Sequence, residues 1–275
     1  MSPFRASAPF TEEWQHFRVE RADGVATVTF TRPDKLNALT FDTYADLRDF
    51  FAEVPHRDDT RVVVLRGEGR AFCSGGDVHV IIGATLSMRP DELLAFTTMT
   101  GDVVRAIRES PAPVIAAIQG TAAGAGSVLA LAADFRVMAR SASFAFLFTK
   151  VGLAGADMGA AYLLPRLVGL GRATQLLMLG DPLPADEAER FGLVSDLVDD
   201  DRVDSAAAAL AARLSAGPWQ GYSATKRLVG RELDMDLTGA VELEAMTQAL
   251  LMNGADYREF HAAFTGKRPP RWTGR

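Results

Sequence analysis

Gly120-Thr121-Ala122-Ala123-Gly124-Ala125-Gly126-Ser127-Val128-Leu129-Ala130-Leu131-Ala132-Ala133-Asp134 follows a short apolar run, Val114-Ile115-Ala116-Ala117-Ile118, closed by Gln119. The run is too short for a helix and rich in β-branched residues, so it predicts a buried strand. Gly120 to Gly126 leave almost no side-chain bulk, and Val128, Leu129 and Leu131 resume at helical spacing. A strand therefore turns sharply into a helix. The first free N–H groups of that helix, near Ala125 and Gly126, leave the turn with the positive end of the helix dipole behind them. Small residues let a ligand carbonyl come close to such donors. Each backbone donor aimed at a developing oxyanion supplies about 3 kcal/mol of transition-state stabilisation.

The same grammar occurs earlier in the chain. Val62-Val63-Val64-Leu65 predicts another buried strand, leading through Arg66 to Arg70 into Ala71-Phe72-Cys73-Ser74-Gly75-Gly76-Asp77 and a helical start. If the two turns face each other, the N–H groups of Gly76 and Ala125 grip one oxygen. Taken singly, either turn reads as a strand-to-helix connection that needs glycine for its own geometry.

Composition narrows the setting. A chain of 275 residues with 48% hydrophobic content buries one large core and has room for a smaller appended unit. A single cysteine, Cys73, excludes an internal disulfide, and Met1 to Glu13 contains no apolar signal segment, so a cytoplasmic setting is expected. No apolar run approaches the roughly 18 residues of a membrane span. The net charge of −6, without a dense Lys/Arg cluster, argues against nucleic acid as a partner.

Three regions are expected: a flexible arm over 1–13, a core over 14–200 and a helical subdomain over 201–275. Phe17 to Glu20 and Val25 to Phe30 alternate across Ala22-Asp23-Gly24, a hairpin signal. Thr40 opens a helix that Pro55 ends. A helix is expected from Asp91, and Phe96, Met99 and Thr100 on it are pocket or core candidates. His79 is the only one of the four histidines near the two turns in sequence, and such a lone histidine is more often packed or exposed than catalytic. Asp157, after the bend Val151 to Ala156, is expected to open a helix running to about Leu167. In the tail, Leu243, Met246 and Leu250 repeat on one helical face.

Together the two turns resemble the enoyl-CoA hydratase/isomerase (crotonase) superfamily. The resemblance rests on Arg32-Pro33-Asp34-Lys35-Leu36-Asn37-Ala38-Leu39, Gly69 to Asp77, Pro113 to Asp134, Leu163-Leu164-Pro165-Arg166-Leu167-Val168-Gly169 and Ala188 to Val194. It implies an α/β fold, a spiral of repeated ββα units with a C-terminal helical trimerisation subdomain, and hence a homotrimer or dimer of trimers. It also implies an acyl-CoA substrate, with coenzyme A present only as part of the thioester. The residues implied at the coenzyme A are Lys35, Ala38, Ser74, Gly76, Val78, Phe264 and Lys267, the last two reaching a neighbouring subunit's ligand. Arg32 and Lys35 lie on the loop that the resemblance places at the nucleotide end.

An enolate oxygen is what two such donors stabilise best, so a proton must be moved beside them. Hydratases of this family use two glutamates, at positions that correspond here to Val128 and Phe148, which argues against two-glutamate hydration. The remaining carboxylate is Asp157, in a segment similar to the dienoyl-CoA isomerase branch with one extra residue in the bend. Asp157 also matches the nucleophile position of the 4-chlorobenzoyl-CoA dehalogenase branch, but the tryptophan and histidine of that branch correspond to Phe148 and Gly101. Two roles stand open for Asp157: acid/base, with Gly76 and Ala125 as the oxyanion donors, or N-cap of the following helix. Double-bond isomerisation leads, hydration by Asp157 alone follows, and an aromatic or cyclic acyl group is compatible with Phe148. A non-catalytic acyl-CoA binder is the alternative of a different class. Serine hydrolase and dinucleotide motifs are absent: Ser74 and Ser127 lie outside a Gly-x-Ser-x-Gly, and Gly124-Ala125-Gly126 lacks the third glycine. No metal-ligand spacing is present.

Overall fold

The strands and helices of the computed structural model follow the pattern of apolar runs and small-residue breaks; residues 10–274 are described. The strands are β1 Phe17–Ala22, β2 Val25–Phe30, β3 Val62–Gly67, β4 Val114–Ile118, β5 Thr121–Ala123, β6 Phe135–Ala139, β7 Ser143–Ala145, β8 Leu183–Pro184 and β9 Asp196–Val198. The helices are α1 Phe41–Glu53, α2 Gly83–Thr85, α3 Pro90–Glu109, α4 Ala125–Ala132, α5 Ala160–Val168, α6 Leu170–Leu179, α7 Ala185–Arg190, α8 Val203–Ser215, α9 Trp219–Glu232, α10 Leu237–Met252 and α11 Ala255–Thr265.

Six strands form one sheet in the order β1-β2-β3-β4-β6-β9. Only the β1–β2 hairpin is antiparallel, and the remaining pairs are parallel. The central strands β3 and β4 are continuous apolar runs, as strands covered on both faces must be. A smaller sheet, β5-β7-β8, lies beyond the ends of β4 and β6, so these two strands are each continued by a short one, β5 and β7, before the chain turns helical. This is the expected spiral of ββα units. Every residue of α4 is buried, which places that helix at the centre of the spiral.

Local chemistry sets the boundaries. Thr40 caps α1 through a reciprocal box with Thr43, and Pro55 lies just past the end. Pro90 occupies the first position of α3, one residue before the expected Asp91, because proline costs nothing where the N–H has no partner. α5 starts at Ala160 after Gly159, three residues later than expected, because Met158 and Gly159 both adopt positive φ, at 50° and 87°, and break helical geometry.

The expected arm lies outside the described residues for positions 1–9. Its last part is docked rather than loose: Glu12 pairs with Arg57 at 2.7 Å and Arg21 at 2.9 Å, and the Arg57 guanidinium lies over Phe10. At the other end, α8 buries Val203, Ala207, Ala211 and Leu214 on the large sheet, so it packs as part of the core. α9 is pinned to that core by Lys226, whose buried ammonium donates to the Ile107 and Ala112 carbonyls and pairs with Asp134 at 2.8 Å. α10 has no buried residue: Leu243 is half-buried, while Met246 and Leu250 on the same face are exposed. No described helix is long and apolar enough to cross a membrane.

Candidate active site

Both glycine-alanine turns belong to one hydrogen-bonded layer. Leu39 N–H donates to the Gly75 carbonyl and Asp77 N–H to the Leu39 carbonyl, a bridge that turns the N–H of Gly76 to the opposite side. On that side Cys73 bridges Ala122 of β5, with Ala123 N–H donating to the Cys73 carbonyl at 2.8 Å. β5 then runs through Gly124 into α4, whose first residue is Ala125.

The turns touch. A Cβ built on Gly75 would lie 3.3 Å from the Ala125 nitrogen and 2.9 Å from the Ala123 carbonyl oxygen, and one on Gly126 would lie 2.2 Å from the Cys73 carbonyl oxygen. Any side chain at Gly75 or Gly126 would push the two turns apart. Neither Gly76 N–H nor Ala125 N–H donates to an acceptor among the described residues. Two free amides thus lie on abutting turns, one of them at a helix start, an arrangement that can receive one oxyanion.

Four side chains hold these turns, and of them the capping role of Asp77 follows from its place at a helix start, whereas those of Arg32, Asn37 and Ser127 do not. Arg32 donates to the Ala38 carbonyl at 2.5 Å and pairs with Asp77 at 2.9 Å, so it clamps the first turn and is not a free cation for a nucleotide. Asp77 accepts from His79 N–H and Val80 N–H, which makes it the cap of the π-helical turn Val78–Ile82. Burial opposes its ionised form, but the Val80 amide, Arg32 and the His79 amide together keep its carboxyl below the usual range. Asn37, with φ of 56°, donates to the Glu68 and Ala71 carbonyls and so fastens the 31–38 loop onto the chain ahead of Cys73. On the second turn, Ser127 directs its hydroxyl at the Ala122 and Ala145 carbonyls, at 2.6 and 3.1 Å, tying the start of α4 to both small strands.

Lys35 is exposed and has no carboxylate partner among the described residues, and Ser74 bonds back to its strap: Ser74 N–H donates to the Leu36 carbonyl and its hydroxyl to that of Lys35 at 3.4 Å. Ala38 is buried, and Val78 is 58% exposed beside the turn. Phe264 is 74% exposed and stacks on Phe260, while Lys267 is exposed at the end of α11. The structure thus brings Lys35, Ala38, Ser74, Gly76 and Val78 together and leaves Phe264 and Lys267 on the outward helical tail. His79 is exposed.

Asp157 does not cap α5; Gly159 holds that position, and the Asp157 carboxylate accepts only from Met158 N–H, at 2.8 Å. Burial pushes its carboxyl above the usual range against that one hydrogen bond. Its charge reaches the phenol of Tyr44, and the Tyr44 oxygen lies 3.7 Å from where a Cβ on Gly76 would sit. Asp157, Tyr44 and the first amide therefore share one region. Val128 and Phe148 are both buried. Phe96 packs edge-on against Phe41 and Tyr44, giving this region an aromatic side. Cys73, buried beneath the turn, has its thiol pushed up to about 12 by burial and is not a nucleophile at neutral pH. A separate cavity of about 660 Å³ lies remote from these groups, where the alanines of α8 are too small to fill the space over β2 and β3.

Residues 20–275 match the family model described as enoyl-CoA hydratase/isomerase. The chain belongs to that family. It is an enzyme of the enoyl-CoA hydratase/isomerase type, with an acyl-CoA thioester as its class of substrate. A crystal structure of a “putative enoyl-CoA hydratase” from Streptomyces coelicolor A3(2) is 66% identical, covers 100% of both chains and superposes with a TM-score of 0.98. The 1,2-epoxyphenylacetyl-CoA isomerase of Escherichia coli is 36% identical over 252 residues, 92% of this chain and 96% of that protein. A “probable enoyl-CoA hydratase” of Rhodobacter capsulatus is 39% identical over 260 residues, 94% of this chain and 98% of that one.

Proposed function

We propose that the enzyme shifts the double bond of an enoyl-CoA, with Gly76 and Ala125 N–H holding the thioester oxygen and Asp157 carrying the proton. The observation that carries this reading is the half-buried carboxylate of Asp157 in the region of two acceptorless amides, the neighbouring Asp77 being engaged by Arg32, while the positions that correspond to paired glutamates hold Val128 and Phe148. Asp157 takes a proton from the α-carbon of a 3-enoyl thioester. The electron pair moves into the carbonyl, whose oxygen becomes the enolate held by the two amides. The same carboxylic acid then returns the proton at the γ-carbon, so one group does both transfers and no further cofactor is needed. A raised carboxyl is a better match to that work than an ordinary surface aspartate.

A ring-bearing acyl group is the second reading. It is favoured by the aromatic side formed by Phe41, Tyr44 and Phe96 and by the likeness to a relative named for a phenylacetyl-CoA derivative. Lys35, Ala38, Ser74 and Val78 are read as the coenzyme A side of the site. The exposed apolar residues of α10, with exposed Phe260 and Phe264 on α11, support assembly of α9–α11 into a homotrimer or dimer of trimers. In that assembly Phe264 and Lys267 serve a neighbouring subunit's ligand. A cytoplasmic location fits the lone buried Cys73.

The test is an assay of the wild type and Asp157→Asn with crotonyl-CoA, a 3-enoyl-CoA and a phenyl-substituted 3-enoyl-CoA. Conversion of the 3-enoyl substrates by the wild type and its loss in Asp157→Asn are expected. Full activity in the variant removes Asp157 from the mechanism, and thioester binding without turnover of any substrate favours a non-catalytic binder.

A further inference from the structure

Tyr44 carries a hydroxyl that the fold does not use. The residue is 3% exposed on the inner face of α1, yet its phenol oxygen makes no hydrogen bond among the described residues. The residue is not wholly sealed, since 3% of it remains exposed. The surroundings of its oxygen include the first turn. A Cβ on Gly76 would sit 3.7 Å from the oxygen and equally far from Ile81, beside the amide that receives the thioester.

Packing does not explain the oxygen. The ring meets Phe96 edge-on at 5.9 Å, and Phe41 meets the same Phe96 at 4.8 Å, contacts that a phenylalanine at position 44 would make as well. A buried hydroxyl without a partner disfavours the ligand-free protein, and one beside a ligand site is matched when the ligand brings the acceptor. Its acidity supports donation: burial first, then the charges of Cys73 and Asp157, drive the phenol well above its ordinary range, so it keeps its proton.

We propose that Tyr44 is a specificity-determining residue whose hydroxyl donates to an oxygen on the β-carbon of the acyl group, selecting β-keto or β-hydroxy acyl-CoA over hydrocarbon chains of equal length. The placement fits that carbon, since an acceptor within reach of both Tyr44 and the Gly76 amide lies only a few bonds from the thioester carbonyl. The inference rests on the thioester-binding half of the reading above and not on the double-bond shift, since a β-keto or β-hydroxy chain carries no double bond between the β- and γ-carbons to move. It adds a third donor to a site with two, aimed at a different oxygen.

Acetoacetyl-CoA and butyryl-CoA differ only by that β-oxygen and report on it by calorimetric titration of the wild type and Tyr44→Phe. The wild type is expected to prefer acetoacetyl-CoA, and Tyr44→Phe to lose about tenfold of that preference, the size of one neutral hydrogen bond, with butyryl-CoA affinity held or improved. Equal weakening of both ligands in Tyr44→Phe, or no change in either, overturns the proposal. So does a wild type that binds the two equally, a result that needs no variant. A wild type that binds neither ligand overturns the thioester reading itself, and this inference with it.

Discussion

The turns that carry Gly76 and Ala125 and the bend that carries Asp157 are built in opposite ways. The turns are fixed from every side: by the Leu39 and Ala122 bridges, by the Arg32 and Ser127 clamps, and by approaches so close that Gly126 has no room for one carbon. The bend from Val151 to Gly159 is exposed at Val151 and Leu153, and nothing lies within 4 Å of a Cβ on Gly152. It is anchored at Gly155, packed on the Leu177 carbonyl of α6, and at Met158, buried in the core. On the proposed mechanism, binding of the thioester belongs to the central layer of the fold, and the choice of reaction belongs to a more exposed segment, in keeping with one fold serving several chemistries.

The largest effect that would sharpen this contrast is Asp157→Asn. Turnover should fall by about 10²- to 10⁴-fold while butyryl-CoA affinity, measured by titration, stays within a factor of a few. The same variant should not lose stability. A carboxyl whose folded pKa is raised weakens the fold as pH rises through the interval from its unfolded to its folded value, so at neutral pH removing the charge should leave the melting temperature equal or higher. A large drop in melting temperature would show that Asp157 holds the bend together.

Next comes Arg32→Ala, which strands the buried Asp77. A loss of about 3 kcal/mol in denaturant unfolding is expected, together with weaker thioester binding as the first turn loosens. Gly126→Ala should cost about 1–3 kcal/mol by overpacking against the Cys73 carbonyl, whereas the open space around Gly152 leaves Gly152→Ala only its backbone strain of about 1 kcal/mol. If the two glycine variants cost the same, the bend is as constrained as the turns and the contrast fails.

The smallest effect is expected at Lys35, an exposed cation. Lys35→Ala should lower affinity for a coenzyme A thioester by less than about 1 kcal/mol, and by less still at high salt. In the pH profile of the wild type, activity should rise with pH as Asp157 ionises, with an inflection above the usual aspartate range. An inflection at or below that range would mean that the titrating group is not in the environment seen here.

The fold was legible because its punctuation is local. Apolar runs ending in Gly and Ala gave the strands and the two turns, Thr40 and Pro55 marked the ends of α1, and the start expected at Asp91 fell one residue inside α3. The site was only half legible. Gly76 and Ala125 announce themselves through the turn chemistry around them, but Arg32 and Lys35 look alike on one loop, and only the contact with Asp77, 45 positions away, separates clamp from free cation. Tyr44 reads as one more apolar position on α1, because its helical period shows which way it points and not whether its oxygen finds a partner. The start of α5 was misplaced for a similar reason: two residues of positive φ, one of them Met158, are set by packing and not by a turn signature.

A crystal structure with butyryl-CoA bound tests the central geometry most directly. The thioester oxygen should lie about 2.7–3.1 Å from the nitrogens of both Gly76 and Ala125, with Asp157 the nearest carboxylate to the α-carbon. A thioester oxygen held by only one of these amides, or by a side chain elsewhere, would contradict the two-amide site.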